Sequence, residues 1–105
     1  MNIIIKENSW RARLAARQLK GTQAAIVFNN VIYLWGVGKE AFLQNLSWTR
    51  HEVAHVHQYK KYGFMRFILL YLLETACSGY HNNRFEAEAR SKEEDLSMLE
   101  NVHFI

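Results

Sequence analysis

The sequence predicts a single α+β domain, mainly helical, in which an N-terminal helix and a small β-hairpin precede three further helices. Three observations carry this. The chain has 105 residues, half of them hydrophobic and none of them proline, enough for one modest core and not for two. The segment Ala25 to Trp35 is rich in Ile, Val, Phe and Tyr and is broken by Asn29-Asn30, a pair that tolerates the positive φ of a tight hairpin turn. Beyond Lys39 the apolar spacing changes from two to about 3.6 residues, the period of a helix.

Ser9 is a suitable N-cap for a first helix from Trp10 to Leu19, ended by Gly21. Trp10, Leu14, Ala15 and Gln18 or Leu19 fall at helical spacing on one expected face, with Arg11, Arg13, Arg17 and Lys20 wet. The hairpin follows as Ile26 to Phe28 and Val31 to Trp35. Lys39 to Asn45 reads as a short helix or turn. Ser47 or Thr49 can cap a longer helix that runs to Tyr62 and stops at Gly63. Phe64 to Cys77 is apolar nearly all round and is expected as a buried core helix ending near Gly79; a membrane span needs about twenty such residues, and Arg66 and Glu74 interrupt this one. A charged last helix is expected from Arg84 to Glu100.

Thirteen Lys and Arg face ten Asp and Glu, a net charge of +3, which is mild for a nucleic-acid binder. The excess is local: five of the cations and one acid lie in the first twenty residues. The lone Cys77 allows no internal disulfide, and Met1 to Trp10 has too short an apolar run for a signal peptide. The expected compartment is the cytoplasm.

The informative segment is His51-Glu52-Val53-Ala54-His55, an HExxH pattern on the capped helix. Four residues make slightly more than one turn, so both imidazoles project from one face with Cβ atoms about 6 Å apart and can chelate one ion. Glu52 lies one step round, where a carboxylate reaches a metal-bound water without binding the metal itself, the position of a general base. In a chain with this His and Glu content the pattern arises by chance with a frequency of roughly 2%, so the setting must decide. Val53, Ala54 and Val56 make that setting apolar, and three titratable groups buried there without a metal would be costly.

A catalytic zinc needs a third protein ligand. His57 lies about 200° from His55 on the helix and points away. Cys77 reads as core, and Glu74 as either an inward group or a solvated helix end. His81 follows Gly79-Tyr80 in a turn. Glu86 and Glu88 open the last helix beside Ala87 and Ala89, small residues that permit close packing; one carboxylate can face the histidines while the other faces water.

HEVAHVHQY, followed after the apolar helix by GYHNNRFEAEAR, resembles the gluzincin class of zinc metallopeptidases. It is most similar to the short single-domain minigluzincins and to uncharacterised bacterial proteins with HExxHVxQY and NPFExEA segments. The resemblance covers roughly Leu46 to Arg90. It implies a minimal zincin-like domain, one Zn²⁺ held by His51, His55 and Glu86, and Glu52 as general base in peptide hydrolysis. Two positions depart from the pattern. Arg90 stands where many gluzincins have an aspartate that orients a ligand histidine, so that support is expected from Asn82, Asn83 or a backbone carbonyl. Arg84 replaces the proline.

The activity so implied is that of a hydrolase acting on a peptide or protein substrate. An extended substrate would add to an exposed edge strand, expected as Val31 to Trp35, and Tyr80 or His81 would stabilise the oxyanion. The alternative is a metal-binding interaction domain with little or no turnover, which the small size and Arg90 favour. A third reading, a module for anionic lipid or nucleic acid, rests on the basic first helix and the Phe64 to Leu73 stretch.

Overall fold

The computed structural model describes all 105 residues, and its first element is one missing from the expected order. Asn2–Lys6 forms strand β1 around the Ile3-Ile4-Ile5 run, with Ile3 and Ile5 buried. β-branched side chains favour extended backbone, and the two buried isoleucines, two residues apart, share one face of the strand. Helix α1 (Trp10–Gln18) then starts at Ser9, whose side chain accepts from the Arg11 backbone N–H. Lys20, with φ +55°, makes the left-handed turn that ends it, and the Gly21 N–H reaches back to the Ala16 carbonyl at 2.8 Å. The buried face of α1 is Ala12 and Ala16, while Trp10, Leu14 and Leu19 are exposed. Small side chains let this helix sit close on the sheet, and its large ones are turned outward.

β2 (Ala24–Phe28) and β3 (Val31–Trp35) form the expected hairpin, antiparallel, with Asn29 at φ +56° in the turn. The sheet order is β2-β3-β1-β4, in which β1 runs parallel to β3 and to the two-residue strand β4 (His103–Phe104). β3 is therefore an interior strand, and the sheet edges are β2 and the two-residue β4 rather than the Val31–Trp35 segment expected to receive a substrate.

α2 (Lys39–Gln44) leads directly into α3 (Leu46–Tyr62), which is capped by Asn45 through a bond from the Trp48 N–H, not by Ser47 or Thr49. Thr49 is buried and its hydroxyl donates to the Phe42 and Asn45 carbonyls. Gly63, at φ +85°, breaks the chain sharply between α3 and α4 (Phe64–Asn82), a backbone conformation that a side chain would strain. α4 is kinked at Gly79. Only Phe67 of α4 is buried, in a cluster with Tyr59, Tyr62 and Phe85. The expected buried core helix is thus half outside: it covers one side of the core, and nothing covers its other side. Cys77, expected in the core, is exposed. No helix is long and apolar enough to cross a membrane.

The last helix, α5 (Arg84–Ser91), is half the expected length, and turns carry the chain from Lys92 to Asn101. Its start is fixed by Asn83, which is fully buried. The Asn83 Oδ1 accepts from the Phe85 and Glu86 N–H groups at 2.8 and 3.4 Å, and its Nδ2 donates to the Tyr71 carbonyl and the Thr75 hydroxyl of α4. Asn83→Ala removes a cap and strands buried partners, so a loss of about 1–3 kcal/mol in urea unfolding is expected; a loss near zero would show that the cap is not what holds α5.

Candidate metal centre

α3 presents His51 and His55 one turn apart, with ring centroids separated by 5.1 Å. The packing of α5 on α3 brings Glu86 against them from the other side. The Glu86 Oε1 lies 3.0 Å from His51 Nε2 and 3.3 Å from His55 Nε2, and one donor atom from each of the three residues falls within 4.8 Å of the others. A tetrahedral zinc with bonds of about 2.0–2.1 Å holds its donors roughly 3.3 Å apart. The two distances from Glu86 match that spacing.

The outer ring nitrogens are also occupied. His51 Nδ1 lies 2.8 Å from Glu93 Oε2, and His55 Nδ1 lies 2.8 Å from Gln58 Oε1. The Gln58 orientation is set by its amide nitrogen, which donates to the Phe85 carbonyl and to Glu88 Oε1. All four imidazole nitrogens therefore face oxygen acceptors, whereas a neutral imidazole carries one N–H. Two arrangements satisfy this: both rings charged, or both rings donating outward from Nδ1 while the two Nε2 lone pairs and Glu86 share a cation. The second is the common architecture of a histidine metal site, in which an outer acceptor fixes the tautomer.

Without an ion the electrostatics lean on the first arrangement. Burial pulls the His51 pKa down, but the Glu86 bond and the charges of Glu52 and Glu93 outweigh it and bring it to about 9. His55 is likewise raised against its burial, by Glu86 and then Glu52. Burial works against the Glu86 carboxylate, yet bonds from His51, His55 and Tyr71 hold it well below the usual range. Glu52, only 6% exposed, is pushed up by burial to about 7 despite both histidines. Groups of opposed shift gathered in one place are a candidate functional site.

His51, Glu52, His55 and Glu86 line one cavity of about 300 Å³ together with β2, Tyr71 and Tyr80. Of the two residues considered for the oxyanion, Tyr80 is on the cavity wall, its pKa raised by burial to about 12 so that it stays a donor. His81, expected in a turn, lies exposed in the last turn of α4 beyond the Gly79 kink and off that wall; its carbonyl accepts from Arg90. His57 faces away as expected, exposed on the far side of α3. Glu74 pairs with Arg84 at 3.6 Å, away from the histidines.

The support expected from Asn82 or Asn83 comes instead from Glu93 and Gln58. Asn82 is exposed, and Asn83 acts on Glu86 by capping its helix. Tyr71, read as core, donates its hydroxyl to Glu86 Oε2 at 2.5 Å. Its signal in the sequence is the one hydroxyl in the apolar run Phe67 to Leu73; that of Gln58 is its i+3 spacing from His55 on the helix. Glu93→Gln and Gln58→Leu should each weaken zinc binding by about 10- to 100-fold, read by competition with a chromogenic chelator; unchanged affinity in both would mean these contacts orient nothing.

No family model, curated protein or solved structure matches this chain.

Proposed function

We propose that this protein is a zinc-dependent metallopeptidase of the HExxH type, with His51, His55 and Glu86 holding the metal and Glu52 as general base. The observation that supports it is the convergence of three donor side chains on one point, with a buried fourth carboxylate, Glu52, beside them in the same cavity. Two imidazoles and a carboxylate are a donor set suited to zinc, and such sites leave a further coordination position open.

When bound, the ion supplies a Lewis acid that lowers the pKa of a water and polarises a carbonyl. The chain's own residues do the rest. With a divalent charge at the triad, Glu52 rests as a carboxylate at neutral pH; it takes a proton from the attacking water and returns it to the leaving amine. Tyr80 offers a hydroxyl on the cavity wall, and Tyr71 holds Glu86 by its second oxygen. β2 is an edge strand of the sheet and lines the cavity, so an extended peptide pairing along it would pass over the triad. One edge group, the Val27 carbonyl, already accepts from Tyr59 Oη at 2.9 Å. The lone thiol supports a reducing, cytoplasmic setting.

The test is elemental analysis followed by a peptide-library cleavage assay, on wild type and Glu52→Gln. One zinc per chain in both, with cleavage lost in the variant, supports the proposal. Equal cleavage by both sinks it. Zinc in both with no cleavage by either makes the chain a metal-binding interaction domain.

A further inference from the structure

A carboxylate takes a metal ion through one oxygen or through both, and the two oxygens of Glu86 stand in different surroundings. Oε1 has no hydrogen-bond partner except the two inner histidine nitrogens, 3.0 Å away at His51 Nε2 and 3.3 Å away at His55 Nε2. Oε2 is also 3.3 Å from His55 Nε2, so distance alone would admit both oxygens to one ion. What separates them is Tyr71. Its hydroxyl donates to Oε2, and no other hydroxyl bonds to a side chain of the triad.

Both ends of that bond are fixed from one place. The buried Asn83 side chain donates to the Tyr71 carbonyl at 3.1 Å and accepts from the Phe85 and Glu86 N–H groups, so it ties the backbone of α4 at Tyr71 to the start of α5 at Glu86. The Tyr71 ring packs edge-on against Phe67 and His55, with centroids 5.9 and 6.4 Å apart. A hydrogen bond to an ionised carboxylate is among the stronger ones and draws on the charge of the oxygen that accepts it. Oε1, facing only the histidines, is left as the better donor to a cation.

We propose that Tyr71 is a positioning residue: its hydroxyl keeps Glu86 Oε2 out of the metal shell, so that Glu86 binds through Oε1 alone. Two imidazoles and one carboxylate oxygen make three protein donors, and a four-coordinate ion then has one position open to a water or a substrate carbonyl. A chelating Glu86 would make four donors and fill it. The inference rests on the metal centre proposed above, and it holds whether or not that centre turns over peptides.

Cobalt loaded in place of zinc tests this, because a four-coordinate Co²⁺ absorbs visible light far more strongly than one with five or six ligands. Wild type with one Co²⁺ per chain should show the strong bands. Tyr71→Phe removes the hydroxyl and keeps the ring; it should still bind one Co²⁺, with visible absorption lowered by about two- to threefold as Oε2 enters the shell. X-ray absorption on the zinc-loaded proteins should find about one more oxygen neighbour in the variant than in wild type, with circular dichroism of the metal-free proteins unchanged. Equal absorption from the two cobalt proteins overturns the inference. So does weak absorption from wild type itself, a reading that needs no variant to fold, and so does a folded Tyr71→Phe that takes no Co²⁺, since the hydroxyl would then hold Glu86 in place without setting how it binds. These three outcomes leave the metal centre standing, whereas a wild type that takes up neither Co²⁺ nor Zn²⁺ sinks both.

Discussion

Glu52→Gln is expected to lower peptide cleavage by about 10²- to 10⁴-fold while one zinc per chain is kept, because the substitution removes a proton acceptor and no donor to the metal. Shape is conserved, so the residue's burial is not disturbed. Stability gives an independent readout in the metal-free protein. The Glu52 pKa is raised from 4.5 to about 7 by burial first of all. A raised value means that the folded state prefers the neutral form: the contribution is present below pH 4.5 and is lost as pH rises through 7. Gln is neutral throughout. Metal-free Glu52→Gln should therefore match wild type at low pH and exceed it above neutrality, by urea unfolding. Loss of activity with wild-type stability at every pH would mean that Glu52 is better solvated than its place on the cavity wall implies.

The parts of this site that lie close together in sequence were readable before any coordinates. His51, Glu52 and His55 sit within five residues on a helix whose Gly63 stop is also local, and helical spacing alone puts the two imidazoles on one face. Glu86 required more. Geometry left Glu86 and Glu88 open, and the family resemblance favoured Glu86; the packing of α5 on α3 turns Glu86 to the histidines and leaves Glu88 exposed, bonded to Gln58.

What escaped the sequence depends on contacts between distant segments. β1 is a strand because β3 and β4 flank it, and a run of three isoleucines does not announce partners about 30 and 100 residues away. The same fact moved the sheet edge from β3 to β2. Glu93 reaches His51 although the helix has already ended at Ser91; there the Arg50 guanidinium holds the Glu93 carbonyl at 3.0 Å, a tertiary contact with no local signal. α4 failed for a different reason. Its composition says that the helix is apolar, and burial was inferred from that, but apolarity sets only the cost of exposure. Whether another element lies over the helix is a property of the whole fold, and here none does.

Zinc should stabilise this protein strongly, and Glu86→Ala or His55→Ala should abolish the effect. A ligand that binds the folded state alone, at about a thousand times its dissociation constant, adds about 4 kcal/mol, which in a domain of this size raises Tm by more than about 10 °C. The pH dependence identifies the mechanism. In the metal-free protein the raised His51 pKa gives stability that is complete below 6.5 and lost as pH rises through about 9, and the lowered Glu86 pKa gives stability that is present above 4.5 and lost on acidification. Metal-free wild type is thus favoured in mildly acidic solution. Zinc requires both imidazoles neutral, so its hold strengthens as those protons leave. The zinc-induced rise in Tm should be larger at about pH 8.5 than at about pH 6, where protons compete for the same two Nε2 atoms. Glu86→Ala removes both features at once: the charged histidines lose the carboxylate that stabilises them, and the ion loses its anionic donor. A thermal shift that zinc produces equally in wild type and Glu86→Ala, at either pH, would place the metal elsewhere on the chain and leave the four acceptor-facing imidazole nitrogens to be explained by protons alone.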